Sequence, residues 1–178
     1  FKQKLKDQFV IMKGTSRLNK KPVFNTSYGA ITQELYAMGV TELGIQSISR
    51  AVINIRRSKL PDPAELGNAG SFFKNPEIEK ERFELLKNNF PAIVSYHLPN
   101  GNVKLAAGWL IEQCGWKGYR RGDAGCHAKQ ALALVNYGNV TGEEIFILST
   151  EIIASVVEKF GVIREREVNI IEDRKKIK

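Results

Sequence analysis

Two cysteines and two histidines are all that this 178-residue chain offers toward a metal site, and no group of them falls at ligand spacing. A zinc or iron centre held by Cys/His arrays is therefore not expected. Cys114 and Cys126 follow no recognisable signal peptide, so reduced thiols in a cytoplasmic setting are the expectation. No apolar stretch is long enough to cross a bilayer. The chain has no Walker loop and no Gly-x-Gly-x-x-Gly after a strand, so any cofactor must find its main binding machinery elsewhere. His97 and His127 sit in no Gly-x-Ser-x-Gly elbow or triad pattern, which leaves any serine without an evident base. There is no internal repeat. The first residues, Phe1 to Leu5, contain neither an initiator methionine nor a helix cap, and a piece of a longer protein is expected.

What is present is a basic, core-forming composition. With 43% hydrophobic residues the chain can build one good core or two small ones. Its 27 basic and 19 acidic residues give +8, which favours anionic partners such as phosphorylated metabolites, nucleic acid or acidic membranes without choosing among them. Part of the excess is terminal. The interior clusters are Arg56, Arg57 and Lys59, and then Lys117, Arg120 and Arg121.

Residues 7–18 carry β-branched and aromatic residues without helical spacing and read as a strand. Thr41 could cap a helix in which Ile45, Ile48, Val52 and Ile55 recur at intervals of three and four, stopped by Pro61 and Pro63. Its last turn holds the cations at 56–59, where they suit the helix dipole. The prolines make 59–63 the expected hinge. Asn75 and Pro76 read as cap and first-turn residue of a helix running toward Phe90, with Ile78, Phe83 and Leu86 inward. Leu105 to Cys114 reads as a short helix closed by Gly115, and 129–136 as a strand. Thr141 and Glu144 spell a capping box for a long helix with Ile145, Leu148, Ile152, Val156 and Phe160 on one face and Gly161 as its stop. A last strand is expected over 165–171. Strands and helices mix without a βαβ rhythm, so the fold class is α+β.

The run Gly67-Asn68-Ala69-Gly70-Ser71-Phe72-Phe73-Lys74-Asn75-Pro76 carries the most chemistry. Gly67 and Gly70 would let a ligand approach the main chain, and Ser71 sits where a loop is expected to stiffen into the strand-like Phe72-Phe73 pair. An isolated Gly-x-x-Gly-Ser is also how a tight turn before an edge strand looks. A serine can donate a proton if nearby cations and a dry pocket stabilise the alkoxide, and Lys59 and Lys74 are candidates. Glu167, between apolar flanks, could be a buried acid facing such a site or a solvent-facing position of an edge strand. The loop Gly115 to Gly122 mixes glycines, aromatics and cations, which suits a diphosphate, a stacked base or single-stranded nucleic acid.

Four segments in order, Lys59-Leu60-Pro61-Asp62-Pro63, the glycine-serine run, Leu105-Ala106-Ala107-Gly108-Trp109-Leu110-Ile111 and His127-Ala128-Lys129-Gln130-Ala131-Leu132, ending at Glu165-Arg166-Glu167-Val168, resemble the UDP-N-acetylenolpyruvoylglucosamine reductases, also called UDP-N-acetylmuramate dehydrogenases. The resemblance implies a bacterial, cytoplasmic flavoenzyme of peptidoglycan synthesis. In that family NADPH reduces FAD and the enolpyruvyl group of UDP-N-acetylglucosamine enolpyruvate takes up the hydride. Carried over residue by residue, Ser71 is the proton donor and Glu167 the acid that assists it. Tyr28, Lys59, Asn75, Lys117 and Gln130 bind the UDP-sugar, and Gly67 and Gly70 let the flavin come close. The family's flavin loop and Tyr-Arg-x-Ser motif are not among these residues. The resemblance therefore implies that 1–61 is the later part of a split FAD-binding domain, 62–161 a small α+β substrate domain, and 162–178 a strand and basic tail returning toward the FAD side. Without the upstream FAD-binding half, which would be its partner, FAD is not expected to be retained or the reaction to turn over. Neither nucleic acid nor membrane is an expected partner. A non-catalytic nucleotide-sugar binding module using the same surface is the alternative.

Overall fold

A computed structural model of the chain describes residues 8–27, 30–162 and 165–171. It mixes helices with antiparallel sheet, an α+β architecture, and divides into two units between Ile53 and Asn54.

In the first unit the expected strand over 7–18 does not form: residues 9–19 carry no regular structure. Phe9, Val10, Ile11 and Met12 are all well exposed, with Met12 at 89%. High β propensity describes fitness for a half-buried pleated surface, and without a paired neighbour it builds nothing. Helix α1 (Ile31–Ala37) has no counterpart in the sequence reading, although Ile31 and Leu35, four apart, are its buried pair. Helix α2 (Ile45–Lys59) starts four residues after Thr41. Ser47 closes its first turn instead, with Oγ accepting from the Gly44 N–H at 2.9 Å. Arg56, Arg57 and Lys59 do occupy the last turn.

The second unit holds two sheets. Strands β1 (Gly67–Ser71), β5 (Arg120–Arg121), β6 (Ala124–Cys126) and β7 (Ala133–Asn136) form the order β1-β7-β6-β5, and β2 (Glu77–Ile78), β3 (Ser95–His97) and β4 (Val103–Leu105) form β2-β4-β3. All pairings are antiparallel. Residues 124–126 and 133–135 are buried throughout, so the two central strands show no in-out alternation. Helix α5 (Gly142–Phe160) covers β6 and also packs on α4 (Ala107–Gln113). Its start is the expected capping box: the Thr141 hydroxyl accepts from the Glu144 N–H, and the Glu144 carboxylate accepts from the Thr141 N–H at 2.8 Å. Its end is Gly161 in the left-handed region, and Leu148, Ile152, Val156 and Phe160 are buried on one face. These join Phe73, Phe83, Leu105, Leu110 and Ile111 in one core.

Asn75 and Pro76 do not open helix α3 (Lys80–Asn89), since residues 77 and 78 are drawn into the smaller sheet as β2. Asn75 caps a different helix. Ala106, at the start of α4, has no side-chain acceptor, and Asn75 Oδ1 takes the Ala107 N–H at 2.9 Å. The expected last strand is reduced, among the described residues, to a single bridge between Phe73 and Arg166. No helix among the described residues is long and apolar enough to cross a membrane.

Candidate active site

Strand β1 pairs with β7 as Gly67↔Asn136 and Asn68↔Val135, but then as Ser71↔Ala133. Three residues of β1 thus oppose two of β7, a bulge of one residue. Gly70 sits in it with φ +72°, and Asn68 Oδ1 braces it by accepting the Gly70 N–H at 3.0 Å. So the strand lies before Ser71 rather than after it, contrary to the sequence expectation. The bulge leaves Ser71 exposed at the strand's end, and Phe72 and Phe73 then drive the chain into the core, their rings edge to face at 5.4 Å.

The same stretch receives the C-terminal segment. The Lys74 N–H donates to Glu165 O and the Glu167 N–H to Phe72 O, both at 2.9 Å, around the Phe73↔Arg166 bridge. Lys74 Nζ also meets Glu165 Oε2 at 2.6 Å. Because the two segments run antiparallel, Ser71 stands beside Glu167 and Val168. Ser71, Glu167, Val168, Asn169 and Ala69 line one open groove of about 640 Å³. Glu167 is exposed there, not buried, because a single bridge, with no further strand beyond it among the described residues, leaves its side chain at the sheet's margin. The charge of Lys74 is committed to Glu165.

The remaining expected site residues divide. Asn75 and Gln130 meet around the first turn of α4. Asn75 holds the Ala107 N–H, and a Cβ placed on Gly108 would come within 3.2 Å of Gln130 Oε1. Gln130 Oε1 also accepts from the Leu132 N–H at 3.3 Å. Lys59 ends α2 and is exposed, and Lys117 pairs with Glu112 at 2.7 Å. Neither lines the serine groove. Tyr28 lies outside the described residues. Gly70 has nothing within 4 Å of where a Cβ would stand, whereas a Cβ on Gly67 would meet Asn136 Cβ at 3.4 Å, an ordinary contact.

The loop 115–122 is engaged internally. Trp116 Nε1 donates to Ser155 Oγ at 2.7 Å, Arg120 stacks 4.1 Å from the Tyr137 ring centre, and Arg121 pairs with Glu151 at 3.0 Å. A second cavity of about 680 Å³ is lined by Arg56, Arg57, Asp62, Glu65, His127 and Lys129, among others. His127 Nδ1 is buried there without a partner, and burial, then Lys129, lowers its pKa. Sequence reasoning missed this grouping because it joins a helix end to a turn about seventy residues away. Asn169 was missed, and so was Asn68, although an asparagine two before a glycine, as Asn68 is to Gly70, is the usual sign of a side-chain-braced turn. Cys126 is structural: burial pushes its thiol up to about 12, which keeps it protonated.

A family model described as "UDP-N-acetylenolpyruvoylglucosamine reductase, C-terminal domain" matches residues 62–171. The UDP-N-acetylenolpyruvoylglucosamine reductase of Amoebophilus asiaticus is 53% identical over 172 residues, which are 97% of this chain and 51% of the relative. That of Flavobacterium johnsoniae is 52% identical over 172 residues, 96% and 51% respectively. A crystal structure of the Thermus caldophilus enzyme is similar at a TM-score of 0.39 and 25% identity, over 72% of this chain and 36% of that one. The chain spans about half the length of the relatives it matches. On the strength of the family match and of these identities, it belongs to the UDP-N-acetylenolpyruvoylglucosamine reductase family.

Proposed function

We propose that the full-length protein reduces the enolpyruvyl group of UDP-N-acetylglucosamine enolpyruvate to UDP-N-acetylmuramate in the bacterial cytoplasm, and that this chain supplies the proton donor and part of the sugar site. The observation that carries the reading is that Ser71 and Glu167, ninety-six positions apart, line one groove. Adding hydride to one end of a vinyl group leaves negative charge at the other, and that carbon must be protonated. Ser71, exposed at the bulge, can give its hydroxyl proton there. The Glu167 carboxyl can hydrogen-bond the enol-like substrate as charge develops.

When bound, FAD reduced by NADPH would supply the hydride. A flat ring lying against the main chain would find Gly70 open and Gly67 in ordinary contact with the Asn136 side chain, and both stay cofactor-side positions in this reading. Asn75 and Gln130 would orient the sugar from the start of α4. Lys59 and Lys117 would meet diphosphate or carboxylate oxygens, Lys117 exchanging its Glu112 partner for the ligand. Tyr28 would close over the substrate.

Because about half of each relative's length has no counterpart in these residues, the chain alone is expected neither to hold FAD nor to turn over. Purified protein of these 178 residues, mixed with FAD and NADPH, should stay colourless after desalting and give no NADPH oxidation with the UDP-sugar. A yellow complex reducible by NADPH would contradict this. The full-length protein should oxidise NADPH in step with UDP-sugar consumption, and failure to do so would sink the assignment.

A further inference from the structure

We propose that Arg166 is the positioning residue of the groove: it clamps the C-terminal segment to α5 and so holds Glu167 beside Ser71. Neighbouring residues of an extended segment point to opposite sides. Glu167 faces the groove. Arg166 faces α5, where its Nε donates to Ser149 Oγ at 2.8 Å, its Nη2 to Thr150 Oγ1 at 2.6 Å, and its guanidinium lies 4.3 Å from the centre of the Phe146 ring. Phe146, Ser149 and Thr150 lie within one turn and a half of a long helix with a closed capping box, so the anchor is rigid. Among the described residues the segment is also held by two backbone hydrogen bonds, one bridge, the solvent-exposed Lys74–Glu165 pair and Val168 packed against the core. Exposed pairs of that kind contribute little. A partly buried guanidinium bonded to two hydroxyls is also no efficient source of stability, since an apolar side chain of similar volume would serve as well. What the three contacts of a planar fork do supply is a fixed direction. One residue further on, that direction sets where the Glu167 carboxyl sits relative to Ser71.

The inference rests on the reading of Ser71 and Glu167 as the reacting pair, and its test separates the two. Arg166→Met keeps an apolar stem against Phe146 and removes both donors. Amide hydrogen exchange in this chain should then speed up by about tenfold at the Lys74 and Glu167 N–H groups, while amides of β7 and of the α5 interior stay as they were. Thr150→Ala, which removes one acceptor at an exposed position, should shift the same two amides less. In the full-length enzyme Arg166→Met should lower kcat by about tenfold with KM for the UDP-sugar nearly unchanged, and Arg166→Lys should recover part of the loss. Unchanged exchange at the two amides, an equal loss of protection throughout the unit, or local loosening with unaltered kcat would each overturn the proposal. If instead Ser71→Ala leaves turnover intact, it is the reading of the reacting pair that fails, and the exchange result stands by itself.

Discussion

Ser71 ends β1, in which residues 67, 69 and 71 are the exposed ones, and the bulge at Ala69–Gly70 shifts its β7 partner by one residue, to Ala133. Gly70→Ala should therefore still fold, since nothing obstructs the new methyl group, but lose about 1 kcal/mol because φ +72° is strained for an L side chain. Urea denaturation of the two proteins measures this. Asn75→Ala should cost about 1 kcal/mol by the same assay, because the first turn of α4 loses a side-chain acceptor on the Ala107 N–H. The glycine-serine run was legible as a special place because two glycines stand beside a hydroxyl, an ammonium and an amide. That Glu167 would be exposed was not legible, since alternation of polar and apolar residues cannot say whether a sheet continues past its last bridge.

Among the elements, α5 was readable end to end because each of its signals is local: the capping box, apolar residues on one stripe, and a left-handed glycine at its end. The Thr141 backbone N–H, and then the Thr141 hydroxyl, hold the Glu144 carboxyl below its usual 4.5. A lowered carboxylate contributes stability that is complete above about 4.5 and is lost as pH falls through the folded-state value. Glu144→Gln should therefore narrow its stability gap to the parent protein as acid is added below that point, and urea titrations across the carboxylate range would show it. A gap independent of pH would mean the charge plays no part in the cap. The short strands were not readable. β2 and β5 are two residues each, and residues 77 and 78 join a sheet only because β4 lies beside them. Such pairings are decided by residues far away in sequence, which is also why the described residues 8–18, with a strand's composition, form no strand.

At the scale of the molecule, the two units differ in how much they bury. The main core cluster lies within residues 54–162, the first unit adds only Ile31, Leu35 and Ala51 among its described residues, and 9–23 expose Phe9, Met12, Leu18 and Val23. Limited trypsin digestion should cut first at Lys13, Arg17, Lys20 or Lys21, leaving a resistant product that retains residues 54–162. Early cleavage inside α5 would contradict that division. The α+β class was legible because the long helices and the absence of a βαβ rhythm are visible in the composition of whole segments. The groove was legible only through the resemblance that paired Glu167 with Ser71, because composition and spacing cannot bring residue 167 to residue 71.

The central claim is that Ser71 delivers the proton. Rapid mixing of full-length Ser71→Ala enzyme separates the two halves of the reaction. Flavin reduction by NADPH should proceed at the parent rate, while reoxidation of the reduced flavin by the enolpyruvyl substrate should slow by about 100-fold or more, the usual loss for a general acid. Reoxidation at the parent rate would remove Ser71 from the mechanism.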